Sequence, residues 1–467
     1  MSIEHYKNVI VGSGEGGKCL AWHLASLGEQ TLVIERRWIG GSCPNVNCLP
    51  AKNEIWSAKV ADLVHHAQAF GVTTGPVSVN MEIVRKRKRD MVDALVAIHV
   101  DKYKSTGAEL VMGSASLIGP KTIEVTLNEG GSRTIEAERI FLNLGTHASI
   151  PPVPGLRTSA PLTHIEILEL DRLPEHLVVI GGGYVGLEFA QAYKRFGSQV
   201  TIVQRATQLL ANEDEDVAEE LQKLLSAEGI DILTSVDLLA VEGQSGGAVR
   251  LTIRDGKGER VLAATHILVA TGRTPNTANI GLDMAGVATD SSGWIKVNDR
   301  LETTAQNIWA IGEVAGSPQF THASFDDFRI IRDNLAGGNR STSDRLMPSS
   351  LFTDPQVAHV GLTESQAKQQ GIPYHVAKIP MAAVLRTRTI SETSGFMKAL
   401  IDPNDGRILG FTMIGAEAGE VMTVVQMVMH AKGTYHVLRD AVLAHPTMAE
   451  GLNVLFSKPF IARDITR

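Results

Sequence analysis

The sequence predicts an α/β chain built around two Rossmann-like nucleotide-binding units, and three observations predict it. A strand, a glycine turn and a helix are written once as NVIVGSGEGGKCLAWHLASLG and again as LVVIGGGYVGLEFAQAYKRFG. Each copy leads to a second short apolar strand, TLVIE and QVTIV, as a βαβ unit requires. The 467 residues leave room for about three domains of ordinary size, so both units fit beside a further domain.

In the first unit Gly12-x-Gly14-x-x-Gly17 opens a helix, and the strand after it ends at Glu35. The glycines permit a tight turn, close approach of a pyrophosphate and close helix packing, while the helix N-terminus attracts phosphate. Glu35 stands where an acid accepts from ribose hydroxyls, which completes a dinucleotide fingerprint.

The stretch GGSCPNVNCLPAK, residues 40–52, holds two of the chain's three cysteines. So few cysteines in so long a chain exclude a disulfide scaffold, and no second Cys or His pair supplies a zinc site. Gly40-Gly41-Ser42 predicts a tight turn, and Pro44 at the first helical position makes Cys43 the cap. Residues five apart lie about 7.5 Å apart along a straight helix, beyond the ~7 Å between Cα atoms that a disulfide tolerates. A bridge therefore needs a distorted turn, for which Asn47 and Pro50 offer places, and a strained bridge is readily reduced. The helix terminus also favours a thiolate at Cys43. On local grounds the two cysteines are either a redox pair or inert buried thiols. Cys19, on the first helix, has the ordinary reading of a small buried thiol.

Further along, IVRKRKRDMVDALVAIHVDKY predicts an amphipathic helix whose basic run, Arg85 to Arg89, forms its solvated face. With 44 Lys and Arg against 51 Asp and Glu, the net charge of −7 gives no reason to expect nucleic acid as a partner. No apolar run reaches the ~18 residues of a membrane span, and the start passes into a strand pattern without a signal peptide. A cytoplasmic protein with no membrane partner is expected.

The second unit carries Gly181-x-Gly183-x-x-Gly186, and its second strand runs into Gln204-Arg205. No acid stands there. A carboxylate would repel a 2′-phosphate whereas Arg205 pairs with one, so NADP(H) is expected, with NAD(H) the alternative. A lone glycine fingerprint is weak, but two in strand–turn–helix context predict two different dinucleotides on one chain.

Taken with LVATGRTPN at 268–276, IWAIGEVAGSPQFTHAS at 308–324, FTDPQVAHVGLTE at 352–364 and HPTMAEGLN at 445–453, these motifs run end to end. The chain resembles the class I pyridine nucleotide-disulfide oxidoreductases: dihydrolipoamide dehydrogenase, glutathione reductase, mercuric reductase and their relatives. The resemblance implies a discontinuous FAD-binding domain, residues 1–150 and 277–345, interrupted by an NAD(P)H-binding domain, 151–276. A C-terminal α+β dimerisation domain, 346–467, would make a homodimer whose active site is shared between subunits.

Residue by residue, Cys48 matches the cysteine beside the flavin and Cys43 the outer cysteine that exchanges with the acceptor. Lys52 matches the lysine near the flavin, and Glu188 its ion-pair partner. His445 and Glu450 match the family's acid–base dyad. The implied FAD contacts are Gly12, Gly14, Gly17, Glu35, Ser42, Lys52, Gly145 and Glu313. The implied NADP(H) contacts are Gly181, Gly183, Gly186, Arg205, Gly272 and Tyr184, the last where relatives carry a tyrosine that covers the flavin. No resident metal is implied.

Departures narrow the reading. Glu313 stands where aspartate is usual, Asn143-Leu144 where ATG is usual, and Asn47 where glycine is usual. Gln204 and Leu443 weaken a lipoamide dehydrogenase reading. The ending SKPFIARDITR lacks the vicinal cysteines of the well-known mercuric reductases, yet EGLN and the Gln-Arg-Ala-Thr turn resemble a mercuric reductase-like branch without that pair. The expected function is transfer of electrons from NADPH through FAD and Cys43–Cys48 to a small acceptor: a disulfide, a soft metal ion or a quinone. The alternatives are dihydrolipoamide dehydrogenase using NAD and a low-turnover flavin redox sensor.

Overall fold

A computed structural model describes residues 3–463 of the chain. Strand β1 (Ile3–Val11) is followed by helix α1 (Glu15–Ser26) and strand β2 (Thr31–Glu35). Two helices come next, α2 (Ser42–Val46) and α3 (Cys48–His65), then the long α4 (Met81–Thr106). The strands β3 (Glu109–Leu117), β4 (Thr122–Leu127) and β5 (Ser132–Leu142) complete the first sheet with Ile308–Ala310. Within it β1 lies between β2 and β5, parallel to both, and β3 continues parallel beyond β2. The last four residues of β1 and all of β2 are buried, the mark of parallel strands covered on both faces.

The second unit repeats the plan. His176–Ile180, Gln199–Val203, Asp231–Leu233 and His266–Val269 form a parallel four-stranded sheet, with α5 (Tyr184–Phe196) leaving its glycine turn and α6 (Glu215–Ala227) following. The two turns share one constraint. A Cβ on Gly12 would lie 2.2 Å from the Asn143 carbonyl oxygen, and one on Gly181 would lie 2.4 Å from that of Ala270. Both residues also hold positive φ, +97° and +110°, so each turn passes against the neighbouring strand at a spot only glycine fits. Helix α7 (Thr321–Leu335) packs on α1. Beyond it a six-stranded antiparallel sheet, from Pro348–Leu351 to Ile461–Arg463, carries its own buried cluster around Phe411, Met413 and Phe456.

The basic run on α4 keeps Lys86, Arg87 and Arg89 on the expected exposed face and departs from it at Lys88. Lys88 is buried, donating to the Leu168 carbonyl and, at 2.6 Å, to Glu169. Arg89 pairs with Glu169 as well, Arg85 with Asp171 at 3.0 Å, and Arg87 donates to the Asn53 carbonyl at 2.9 Å. The acids Glu169 and Asp171 and the neutral acceptors of Asn53 on α3 turn the run into a clamp, which the periodicity of α4 alone does not disclose.

Candidate active site

The first glycine turn, the cysteine stretch and the start of α7 surround one cavity of about 460 Å³. Its wall takes in Gly12, Gly14, Glu35, Ser42, Cys43, Cys48, Gly145, Glu313 and Thr321. Residues scattered over more than half of the sequence thus meet in one space, long enough to run from the glycine turn to the thiols. Gly14 and Gly17 are both held against the Asn143 side chain, whose Oδ1 accepts from the Gly17 N–H at 3.1 Å while its Nδ2 donates to the Ile311 carbonyl at 2.8 Å. Asn143 therefore stitches the turn to the next strand.

Glu35 accepts four hydrogen bonds from the chain itself, from the N–H and hydroxyl of Ser13 and from the N–H groups of Arg37 and Trp38. Glu313 pairs with Arg273 at 3.2 Å and holds the Thr146 hydroxyl, so its longer side chain is braced at the pocket wall. His164, buried beside Arg273, has its pKa lowered to about 4 by burial and by the guanidinium, and stays neutral at physiological pH.

The helix of the cysteine stretch starts two residues earlier than expected. Helix α2 begins at Ser42, and Gly41 is its cap at φ +78°, a position where a Cβ would strike Gly14 at 2.5 Å. Cys43 therefore sits inside the first turn. The predicted distortion is at Asn47, whose φ of −138° and ψ of −104° break the path and start α3 anew at Cys48. Both thiols are free and half-buried. The Cys48 pKa is lowered to about 6, chiefly by a hydrogen bond from Cys43, then by Thr321 and the Lys52 ammonium against the opposing cost of burial. Cys43, as the donor, is held far above its ordinary range. Cys19 is pushed up to about 12 by burial and sits 3.7 Å from Glu15, an inert thiol.

Lys52, one turn along α3, forms a 2.7 Å ion pair with Glu188 of α5, which also accepts from the Phe352 N–H at 2.9 Å. The ammonium lies 4.8 Å from the Phe352 ring centre. Glu188 is buried. At the second turn Gln204 folds back to accept from the Gly182 N–H at 3.0 Å, and Arg205 stands exposed. Tyr184 packs its ring 6.1 Å from Phe320, and its hydroxyl donates to Glu213 and accepts from Ser349, both at 3.3 Å.

His445 and Glu450 meet as expected. Nδ1 of the imidazole lies 3.0 and 2.9 Å from the two carboxylate oxygens, which orients the ring with Nε2 outward. The dyad does not line the cavity of its own chain, and the His445 side chain is 60% exposed. Sequence reasoning missed Thr321, whose hydroxyl lies 3.3 Å from the Cys48 sulfur, and the stitching role of Asn143. Asn143 was visible as a departure from ATG, but Thr321 gave no signal of its own.

A fold of two dinucleotide units plus an antiparallel domain, with a thiol pair on the cavity wall, defines a flavin- and pyridine nucleotide-dependent oxidoreductase. The model of the pyridine nucleotide-disulphide oxidoreductases matches residues 6–327, and that of their dimerisation domain matches 347–455. The chain belongs to this family, whose members use FAD and NAD(P)H. It is 37% identical over 463 residues to the probable pyridine nucleotide-disulfide oxidoreductase RclA of Escherichia coli, covering 97% of this chain and 99% of that one. To the mercuric reductase of Bacillus cereus it is 32% identical, over 96% of this chain and 70% of the other. A solved Cu(II) complex of the HOCl-induced flavoprotein disulfide reductase RclA from E. coli superposes with a TM-score of 0.88 at 35% identity, covering 98% of this chain and 99% of that chain. Among the described residues no helix is long and apolar enough to cross a membrane.

Proposed function

We propose that the chain is an NADPH-dependent reductase that passes electrons by way of FAD and the Cys43–Cys48 pair to a small acceptor carrying a disulfide or a soft metal ion. The observation that carries this reading is the unequal pair of thiols on the cavity wall, Cys48 held toward thiolate and Cys43 held as thiol. The cavity suits a flavin dinucleotide: Gly14, Ser42, Gly145, Glu313 and Cys48 all line it and would hold the group. Glu35 can take a ribose hydroxyl only by sharing an oxygen already engaged by Ser13, Arg37 or Trp38. Gly183 has nothing within 4 Å of a notional Cβ, which leaves the second turn open to a pyrophosphate, and Arg205 is free to meet a 2′-phosphate. Bound there, flavin and nicotinamide supply the hydride chemistry.

The protein's own residues do the rest. Lys52, fixed by Glu188, places positive charge near the Cys48 sulfur. Cys43 attacks the acceptor once it has lost its proton, and His445 takes up that proton and returns it to the leaving thiol. With its imidazole outward, His445 serves the partner subunit's thiols, which makes the dimer the working unit. Sheet membership supports the division 1–150 with 277–345, 151–276 and 346–467. The Cu(II) complex of a relative favours a metal ion among the acceptors, and a reductase fed by NADPH belongs in the cytoplasm.

Anaerobic titration with NADPH and, separately, NADH tests the reading. A long-wavelength thiolate–flavin band after two electrons, formed faster with NADPH, is expected. Bleaching of the flavin with no such band would overturn the thiol route.

A further inference from the structure

Thr321 is the first residue of α7, and 273 positions of sequence separate it from Cys48. Its hydroxyl lies 3.3 Å from the Cys48 sulfur, and it forms part of the same cavity wall. Reduction of a disulfide by two electrons and one proton leaves one thiol and one thiolate. A thiolate has no proton to give, so whichever sulfur carries the charge needs donors. At Cys48 the available donors are the Cys43 thiol and the Thr321 hydroxyl. The first is lost when Cys43 turns to the acceptor. Lys52 supplies charge, but its ammonium is engaged by Glu188 at 2.7 Å.

We propose that Thr321 donates a hydrogen bond to the Cys48 sulfur and is the donor that keeps Cys48 a thiolate while Cys43 is engaged with the acceptor. This rests on the assignment of Cys48 as the flavin-side thiolate. A hydroxyl bonded to a charged sulfur has an effect of about tenfold in the thiol–thiolate equilibrium. Val is close to Thr in shape and removes the hydroxyl, whereas Ser keeps it.

The test is the pH profile of iodoacetamide alkylation of the reduced holoenzyme, with Cys43 and Cys48 resolved by peptide mapping. It is run on wild type, Thr321→Val and Thr321→Ser. The Cys48 midpoint is expected to rise by about one pH unit in Thr321→Val, a tenfold loss of thiolate below it, and to return with Thr321→Ser. An unmoved Cys48 midpoint in Thr321→Val overturns the proposal while leaving the Cys48 assignment intact. A wild-type Cys48 that titrates in the ordinary thiol range overturns the assignment itself. A midpoint that shifts equally in Thr321→Val and Thr321→Ser assigns the effect to packing and refutes the donor.

Discussion

Cys43 and Cys48 are chemically alike in sequence and unlike in place: Thr321 reaches both, but only Cys48 accepts from the other thiol and feels the Lys52 charge. Its pKa of about 6 lies below the usual thiol value, so the thiolate is present above that point and disappears as pH falls through it. In the two-electron-reduced enzyme the charge-transfer absorbance should therefore fade with a midpoint near pH 6, which a spectrophotometric titration reads directly. Replacing Cys43 with Ser removes the exchanging sulfur; acceptor turnover should drop by at least about a thousandfold while dye reduction by NADPH survives. Equal turnover in the mutant would remove the pair from the route. Much of this site was legible beforehand. The glycines, the cysteines, Lys52 and the dyad each sit in a short motif with a fixed geometry. Thr321 and the four donors on Glu35 were not, because contacts made across a fold leave no local spacing to read.

At the scale of elements, the same strand–turn–helix plan was visible twice, with the exact ends of TLVIE and QVTIV seen in the structure. The helix start at the cysteines was displaced by two residues, since Gly41 takes the cap that Pro44 had assigned to Cys43. Alternation of apolar residues on α4 showed a helix but could not show that Lys88 faces an acid on another element. A second buried cation joins elements elsewhere. Lys398, on the strand Phe396–Ile401, is fully buried and meets Asp214, Asp216 and Glu364 at 2.9, 2.7 and 3.2 Å. Removing it as Lys398→Ala leaves Asp214 a buried charge. The expected loss is at the lower end of about 3–5 kcal/mol, because Asp214 keeps the Glu364 and Ser365 N–H groups and the Ser365 hydroxyl. Chemical denaturation of the holoenzyme measures it. Asn143→Ala should cost about 1–3 kcal/mol and weaken flavin retention, since the Gly17 N–H and Ile311 carbonyl lose their partner together.

For the whole molecule, the dyad does not line the cavity of its own chain, and the proposed reading therefore requires two subunits for one reaction. Coexpression of Cys48→Ser with His445→Ala should yield mixed dimers with about half the wild-type turnover, each holding one complete composite site. Mixed dimers as dead as either parent would place dyad and thiols in one subunit. None of this was readable from periodicity or composition; it follows from the dimer that the family resemblance implied and from the outward imidazole of His445. The clamp of α4 on the turn Ile167–Glu169 has its own consequence. With Lys88 sealed between the two nucleotide units, the crossover between them is a weld instead of a hinge. If nicotinamide binds at the second glycine turn, the Tyr184 ring, 6.1 Å from Phe320, is the group expected to move. Crystals with and without pyridine nucleotide should share one frame and differ at that ring.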